Sequence, residues 1–117
     1  MSHPLPVCAA LELLGLSGAE VARSLELHPN IWSKWKAGQA PHARTRAALL
    51  VLARNMLAEA RAMLERREFS ALTVEILNRT IHDANCLLNR QELEWGSLSV
   101  AGLLQAERKL SAISSHP

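Results

Sequence analysis

Apolar residues recur along most of this chain in steps of three and four, the spacing that places them on one face of a helix. From His42 to about Arg67 the positions Leu49, Ala53, Met56, Ala60 and Met63 alternate steps of four and three. Leu50, Leu57 and Leu64 run beside them at intervals of seven, which makes a broad seam. Ser70 reads as the cap of a new helix after Glu68 and Phe69. Val74, Leu77, Ile81, Ala84 and Leu88 repeat the alternation to about Leu93, and Gly96 ends the element. A last helix is expected from about Leu98 to Ile113, carried by Val100, Leu103, Leu104 and Leu110, ahead of a Ser-Ser-His-Pro tail expected to be disordered. No stretch reads as a strand, an internal repeat or a low-complexity linker. The expected class is all-α.

Residues 14 to 38, LGLSGAEVARSLELHPNIWSKWKAG, are more finely punctuated. Gly15 suits the left-handed residue that closes a preceding helix. Ser17 and Glu20 form a capping box, in which hydroxyl and carboxylate each satisfy an orphan backbone N–H. A helix is therefore expected from Gly18, with Leu16 and Val21 as the hydrophobic staple that sets its entry angle. Val21, Ala22 and Leu25 mark its buried face. After a break at Glu26 and Leu27, His28 occupies the next cap position and Pro29 the first helical position, where a missing N–H costs nothing. The second helix is expected to reach about Ala37, with Trp32 and Trp35 as packing anchors. Asn30, Ser33, Lys34 and, in part, Ile31 and Lys36 face outward, and Gly38 stops the helix. Two short capped helices joined by a tight turn are a helix-turn-helix, and that points at DNA.

A net charge of +2 is small for a nucleic-acid binder until it is divided along the chain. Between Glu26 and Glu59 there is no acidic residue, whereas Lys34, Lys36, Arg44, Arg46 and Arg54 all fall there, with His28 and His42. These bases begin on the second helix of the motif and continue into the next helix start, where a DNA backbone would pass. From Ser70 onward four bases face five acids, which does not suit a DNA surface. A charge run alone reads as a solvated helix face; beside a helix-turn-helix it favours nucleic acid.

With 117 residues, 49% of them hydrophobic, the chain can bury a core without covalent staples. Cys8 and Cys86 lie far apart in a sequence without a secretory signal, so reduced thiols and a cytoplasmic location are expected. The longest apolar run, AALLVLA at 47 to 53, is far too short to cross a bilayer.

At Leu11, Gly15, Leu16, Ser17, Val21, Ala22, Leu25, Leu27, Trp32, Ser33, Trp35 and Gly38 the sequence resembles the helix-turn-helix of the Cro and lambda-repressor type, the XRE family. The resemblance covers roughly a quarter of the chain. It departs from the family in three places: the glutamine after the cap is Gly18, the glycine of the inter-helix turn is Glu26, and a small aliphatic core position is Trp32. A non-glycine residue in a left-handed turn costs roughly 1 to 2 kcal/mol. The indole must be accommodated by small neighbours, for which Ala22 and Ala37 are candidates. The resemblance implies a lambda repressor-like domain at residues 1–56; the apolar seams of the helical extension at 57–117 are expected to serve dimerisation, the alternative being that residues 42 to 113 pack on themselves as a helical hairpin and cap. The resemblance also implies that the start of the second motif helix enters the major groove. Base-edge contacts then fall to Pro29, Asn30, Ile31, Ser33 and Lys34, with Asn suited to adenine and Lys to the O6 and N7 acceptors of guanine. Phosphate contacts fall to Lys36, Arg44 and Arg46.

The function expected is that of a sequence-specific transcriptional regulator, a repressor that covers a palindromic operator as a homodimer with its two recognition helices about 34 Å apart. Its partners are double-stranded DNA and a second copy, with room for a protein partner on the C-terminal helices. Two other readings stand beside it: an interaction adaptor that keeps the fold without binding DNA, and an antitoxin that binds both DNA and a toxin. No nucleophile, base or metal constellation supports an enzyme, and no cofactor or metal is expected. His82 and Cys86 lie four apart, yet two ligands do not make a site. Glu92 and Glu94 are expected to be solvated, Trp95 to pack between helices, and the polar run Asn78, Arg79, Thr80, His82, Asp83, Asn85 to be an exposed face or a partner surface.

Overall fold

The structure, a computed structural model, describes residues 4–66, 69–96, 102, 104–108 and 110. Among the described residues every regular element is helical: α1 (Pro6–Leu13), α2 (Gly18–Ser24), α3 (Asn30–Lys36), α4 (Ala43–Glu65) and α5 (Ala71–Trp95). The described residues 102, 104–108 and 110 form a sixth helical segment, α6; the rest of the expected last helix and the tail lie outside them.

The helix ends follow the local chemistry. The Ser17 hydroxyl accepts from the Glu20 N–H at 3.2 Å and donates to the Glu20 carboxylate at 3.0 Å, so this box closes on its own hydroxyl. Ser70 caps α5 by accepting from the Thr73 N–H. Three successive helices finish with the same pair of backbone bonds. Leu16 N–H reaches Leu11 and Gly15 N–H reaches Glu12; Leu27 reaches Ala22 and Glu26 reaches Arg23; Gln39 reaches Lys34 and Gly38 reaches Trp35. This is the Schellman arrangement, which needs a left-handed residue in the middle. Gly15 and Gly38 supply it at φ +93° and +99°, and Glu26 supplies it at φ +55°.

One apolar core runs from Leu5 to Ala106. Val7, Cys8 and Leu11 of α1, Val21 of α2 with Leu25 at its C-cap, Trp35 of α3, and Leu49, Leu50, Ala53 and Leu57 of α4 meet Ile81, Ala84 and Leu88 of α5 in it. The expected division at residue 56 falls inside α4, and the principal partner of α1 is α5. A polar tie crosses the same interface. Leu5, at the N-cap of α1, has no side chain able to cap, and the fully buried Gln91 of α5 accepts from the orphan Val7 N–H at 3.0 Å while its amide donates to Glu94 at 3.2 Å. Glu94, exposed as expected, therefore also holds Gln91 in place.

Burial fades toward the connection between α4 and α5. The last buried residue of α4 is Leu57 and the first of α5 is Ile81, so each apolar seam is covered for only part of its length.

Candidate nucleic-acid interface

The expected reading face is built on α3. His28 acts as its cap: the ring Nδ1 accepts from the Asn30 N–H at 3.2 Å, and its carbonyl accepts from the Ile31 N–H at 3.0 Å. Pro29 already has helical angles, φ −54° and ψ −29°, but the regular helix starts at Asn30 with Pro29 as its N-cap, one residue later than expected. Trp35 is buried in the core and fixes the rotation of α3 about its axis. Of the residues expected to meet base edges, Pro29, Asn30, Ser33 and Lys34 are exposed together, whereas Ile31 is half-buried and packs against the core. Ile31 can offer only part of its side chain outward.

Trp32 explains two departures at once. A Cβ on Gly18 would land inside its indole ring, with Cγ and Cδ1 in collision and Nε1 at 2.7 Å. The space for the indole comes from Gly18, the position where the family carries glutamine, and Ala37 is exposed and does not supply it. The ring meets Trp35 edge to face, with centroids 6.3 Å apart and planes at 70°. An open cleft of about 450 Å³ lies over Gly18 between Trp32 and the ion pair of Glu12 with Lys36.

Most of the basic stretch is engaged within the fold. Lys36 pairs with Glu12 of α1 at 2.9 Å. The Arg46 Nε donates to the Pro41 carbonyl at 2.8 Å, and its guanidinium lies 5.8 Å from the centre of the Trp95 ring, a cation–π distance. Trp95 thereby packs as expected. Arg54 spreads its fork along α5, donating to Asn85, Asn89 and Glu92 at 2.8 to 2.9 Å. Glu92, whose side chain stays 38% exposed, is thus also the partner of Arg54. Among the described residues, Lys34 and Arg44 are the bases of this stretch without an ion-pair or hydrogen-bond partner, and both are exposed. Arg44 stands at the start of α4, beside Gly102, Gln105 and Ala106 of α6.

The remaining candidates are easily placed. Cys86 Sγ lies 3.7 Å from His82 Nε2 on the exposed side of α5, and no group of three or more potential metal ligands occurs among the described residues. Cys8 is sealed in the core, where burial first, and the neighbouring Glu12 charge second, push its thiol up to about 12 against a weaker opposing effect of Lys36. No described helix is long and apolar enough to cross a membrane.

No protein family, curated protein or solved structure matches this chain.

Proposed function

We propose that the chain is a sequence-specific DNA-binding regulator of the Cro and lambda-repressor type, acting in the cytoplasm as a homodimer that covers a palindromic operator and represses. The observation that carries this reading is the presentation of α3. A capped helix is held by a buried tryptophan, with Asn30, Ser33 and Lys34 turned outward together and no acid on that face. Asn30 and Lys34 read base edges, Ser33 supports them, and Pro29 with the exposed part of Ile31 offers apolar contact to a thymine methyl. Arg44 is the phosphate contact that needs no rearrangement. Lys36 reaches a phosphate only by exchanging its Glu12 partner, and Arg46 acts chiefly by fixing the start of α4 against Trp95.

Selection of bound sequences from a random DNA pool tests this directly, with an enriched palindrome as the expected result. Within the selected site, Lys34→Ala relaxes discrimination at one base pair per half-site by roughly 1 to 3 kcal/mol. Arg44→Ala instead weakens all sequences alike and lowers the salt slope by about 0.9 for each phosphate no longer neutralised. A uniform loss for Lys34→Ala, with base preference untouched, moves that residue to the backbone.

A second reading is favoured by one specific observation. Lys36, Arg46 and Arg54 are all engaged internally, which removes much of the free positive charge that the sequence promises. A protein-interaction adaptor built on the same fold fits that scarcity of free charge, and an antitoxin would combine both uses. A flat selection from the DNA pool, with a protein co-purifying on the C-terminal helices, would replace the regulator by the adaptor.

A further inference from the structure

Trp32 and Lys36 stand four apart on α3, one turn from each other on the same face, and both line the open cleft over Gly18. The pyrrole edge of the indole is the part that lies over Gly18, since a Cβ built there would sit 2.7 Å from Nε1. Its N–H therefore borders the cleft. That donor has no acceptor within the protein, and among the described residues no unpartnered side-chain nitrogen or oxygen is buried, so the N–H is open to solvent. Lys36 brings the second donor, and its ammonium already holds an anion. The Glu12 carboxylate lies 2.9 Å from it, with the two side chains still 45% and 43% exposed. Ser17 also lines the cleft, but its hydroxyl is committed to Glu20. Glu20 itself does not line the cleft, which leaves Glu12 as the acid among the described residues of its walls.

We propose that this cleft is a phosphate site, in which a phosphodiester oxygen of DNA takes the place that the Glu12 carboxylate holds on Lys36 and accepts from the Trp32 Nε1–H at the same time. Glu12 is the stand-in for the ligand. The walls select an oxyanion: two N–H donors border the cleft, one of them charged, and a phosphate has oxygens enough to satisfy both. An exposed ion pair contributes little net stability, so a polyanion that brings its phosphates close can displace the carboxylate. While Glu12 holds Lys36, the pair carries no net charge toward DNA, and the basic stretch is weaker by one lysine. The inference rests on the proposed DNA reading for the source of the phosphate. It adds to that reading a neutral donor on α3 and a competing anion on α1.

Binding of the full chain to its selected duplex, measured against salt concentration, tests the site in two variants. Trp32→Phe keeps an aromatic ring and removes the N–H. It should weaken binding about tenfold per copy, the cost of one hydrogen bond to a charged acceptor, with base preference and salt slope unchanged because a neutral donor releases no counterion. Glu12→Gln should steepen the salt slope by about 0.9 per copy and, reckoned from about 1 M salt, tighten binding about eightfold at about 0.1 M. Glu12 is exposed, so this variant reads the site even where the change of ring disturbs α3. A Trp32→Phe chain that binds like the parent, or one whose base preference changes, overturns the proposal, as does a Glu12→Gln chain with the parent's salt slope. An arm without DNA separates the site from its source. In Glu12→Gln, inorganic phosphate at millimolar concentration should shift the nuclear magnetic resonance signal of the Trp32 indole N–H, assigned by its loss in Trp32→Phe. That shift beside a flat selection from the DNA pool would remove the regulator and leave a site for free phosphate, whereas an indole signal that phosphate leaves in place would overturn the site itself.

Discussion

Replacing Gly18 by alanine isolates the packing of Trp32. On a helix, removing a glycine ordinarily stabilises by about 0.5 to 1 kcal/mol, through the reduced freedom of the unfolded chain. Here the added Cβ meets the indole at Cγ and Cδ1, the root of the ring rather than its far edge, so relief requires the whole side chain to rotate away from Trp35. Overpacking of this type costs typically 1 to 3 kcal/mol. Taking the middle of each range, the two effects leave a net destabilisation of about 1 kcal/mol for Gly18→Ala. Trp32→Ala is destabilising in its own right, yet in that background Gly18→Ala should become stabilising, because only the first effect survives. The coupling across the double-mutant cycle is then at least about 1 kcal/mol. Urea denaturation followed by far-ultraviolet circular dichroism reads all four proteins without depending on the fluorescence of the residue removed. A Gly18→Ala protein as stable as the parent, or more so, while Trp32 is present would refute the reasoning.

Three further outcomes follow from the backbone and the core. Glu26→Gly relieves a left-handed φ of +55° but loosens the unfolded chain, so a net gain of about 0.5 to 1 kcal/mol in denaturation is expected, with DNA selectivity unchanged; a loss would mean that the carboxylate makes a needed contact. Gln91→Leu leaves the Val7 N–H buried and unpaired and should cost about 1 to 3 kcal/mol, and a neutral result would show that another group accepts that hydrogen. Burial raises the Cys8 thiol from 9.0 to about 12, so the unfolded chain loses this proton first as pH rises. The stabilising contribution is intact below pH 9 and declines by about 1.4 kcal/mol per unit up to about pH 12. Denaturation midpoints of the parent and of Cys8→Ala should therefore converge above pH 9, and parallel curves would assign the pH dependence to other groups.

What is legible in the sequence is what neighbours in sequence decide. The Ser17 and Ser70 caps, the His28-Pro29 entry to α3 and the left-handed Glu26 all depend on bonds spanning two to five residues, which a local pattern exposes. Partners far along the chain leave no such trace. The run free of acids between Glu26 and Glu59 reads as a basic stripe only because Glu12 and Glu92, which neutralise Lys36 and Arg54, lie outside it. The indole of Trp32 calls for a small neighbour, yet which one depends on how α2 meets α3, so from sequence Gly18 reads as an absent side chain instead of the space it provides. Gln91 carries no signal, since an isolated polar residue in an amphipathic helix is ordinarily exposed.

The hydrogen bond from Val7 to Gln91 also sets a schedule for biosynthesis. At translation rates of roughly 5 to 20 residues per second, the 84 residues between the two take about 4 to 17 s to be made. During that interval α1 exists without its main packing partner, its apolar side unprotected and its first turn short of an acceptor. Helix α3 can be complete in covalent terms while the domain that orients it cannot yet close. Premature termination within α5 would thus yield a chain holding the entire helix-turn-helix but prone to aggregation, and proteolysis, rather than a small autonomous binding module, would be its fate.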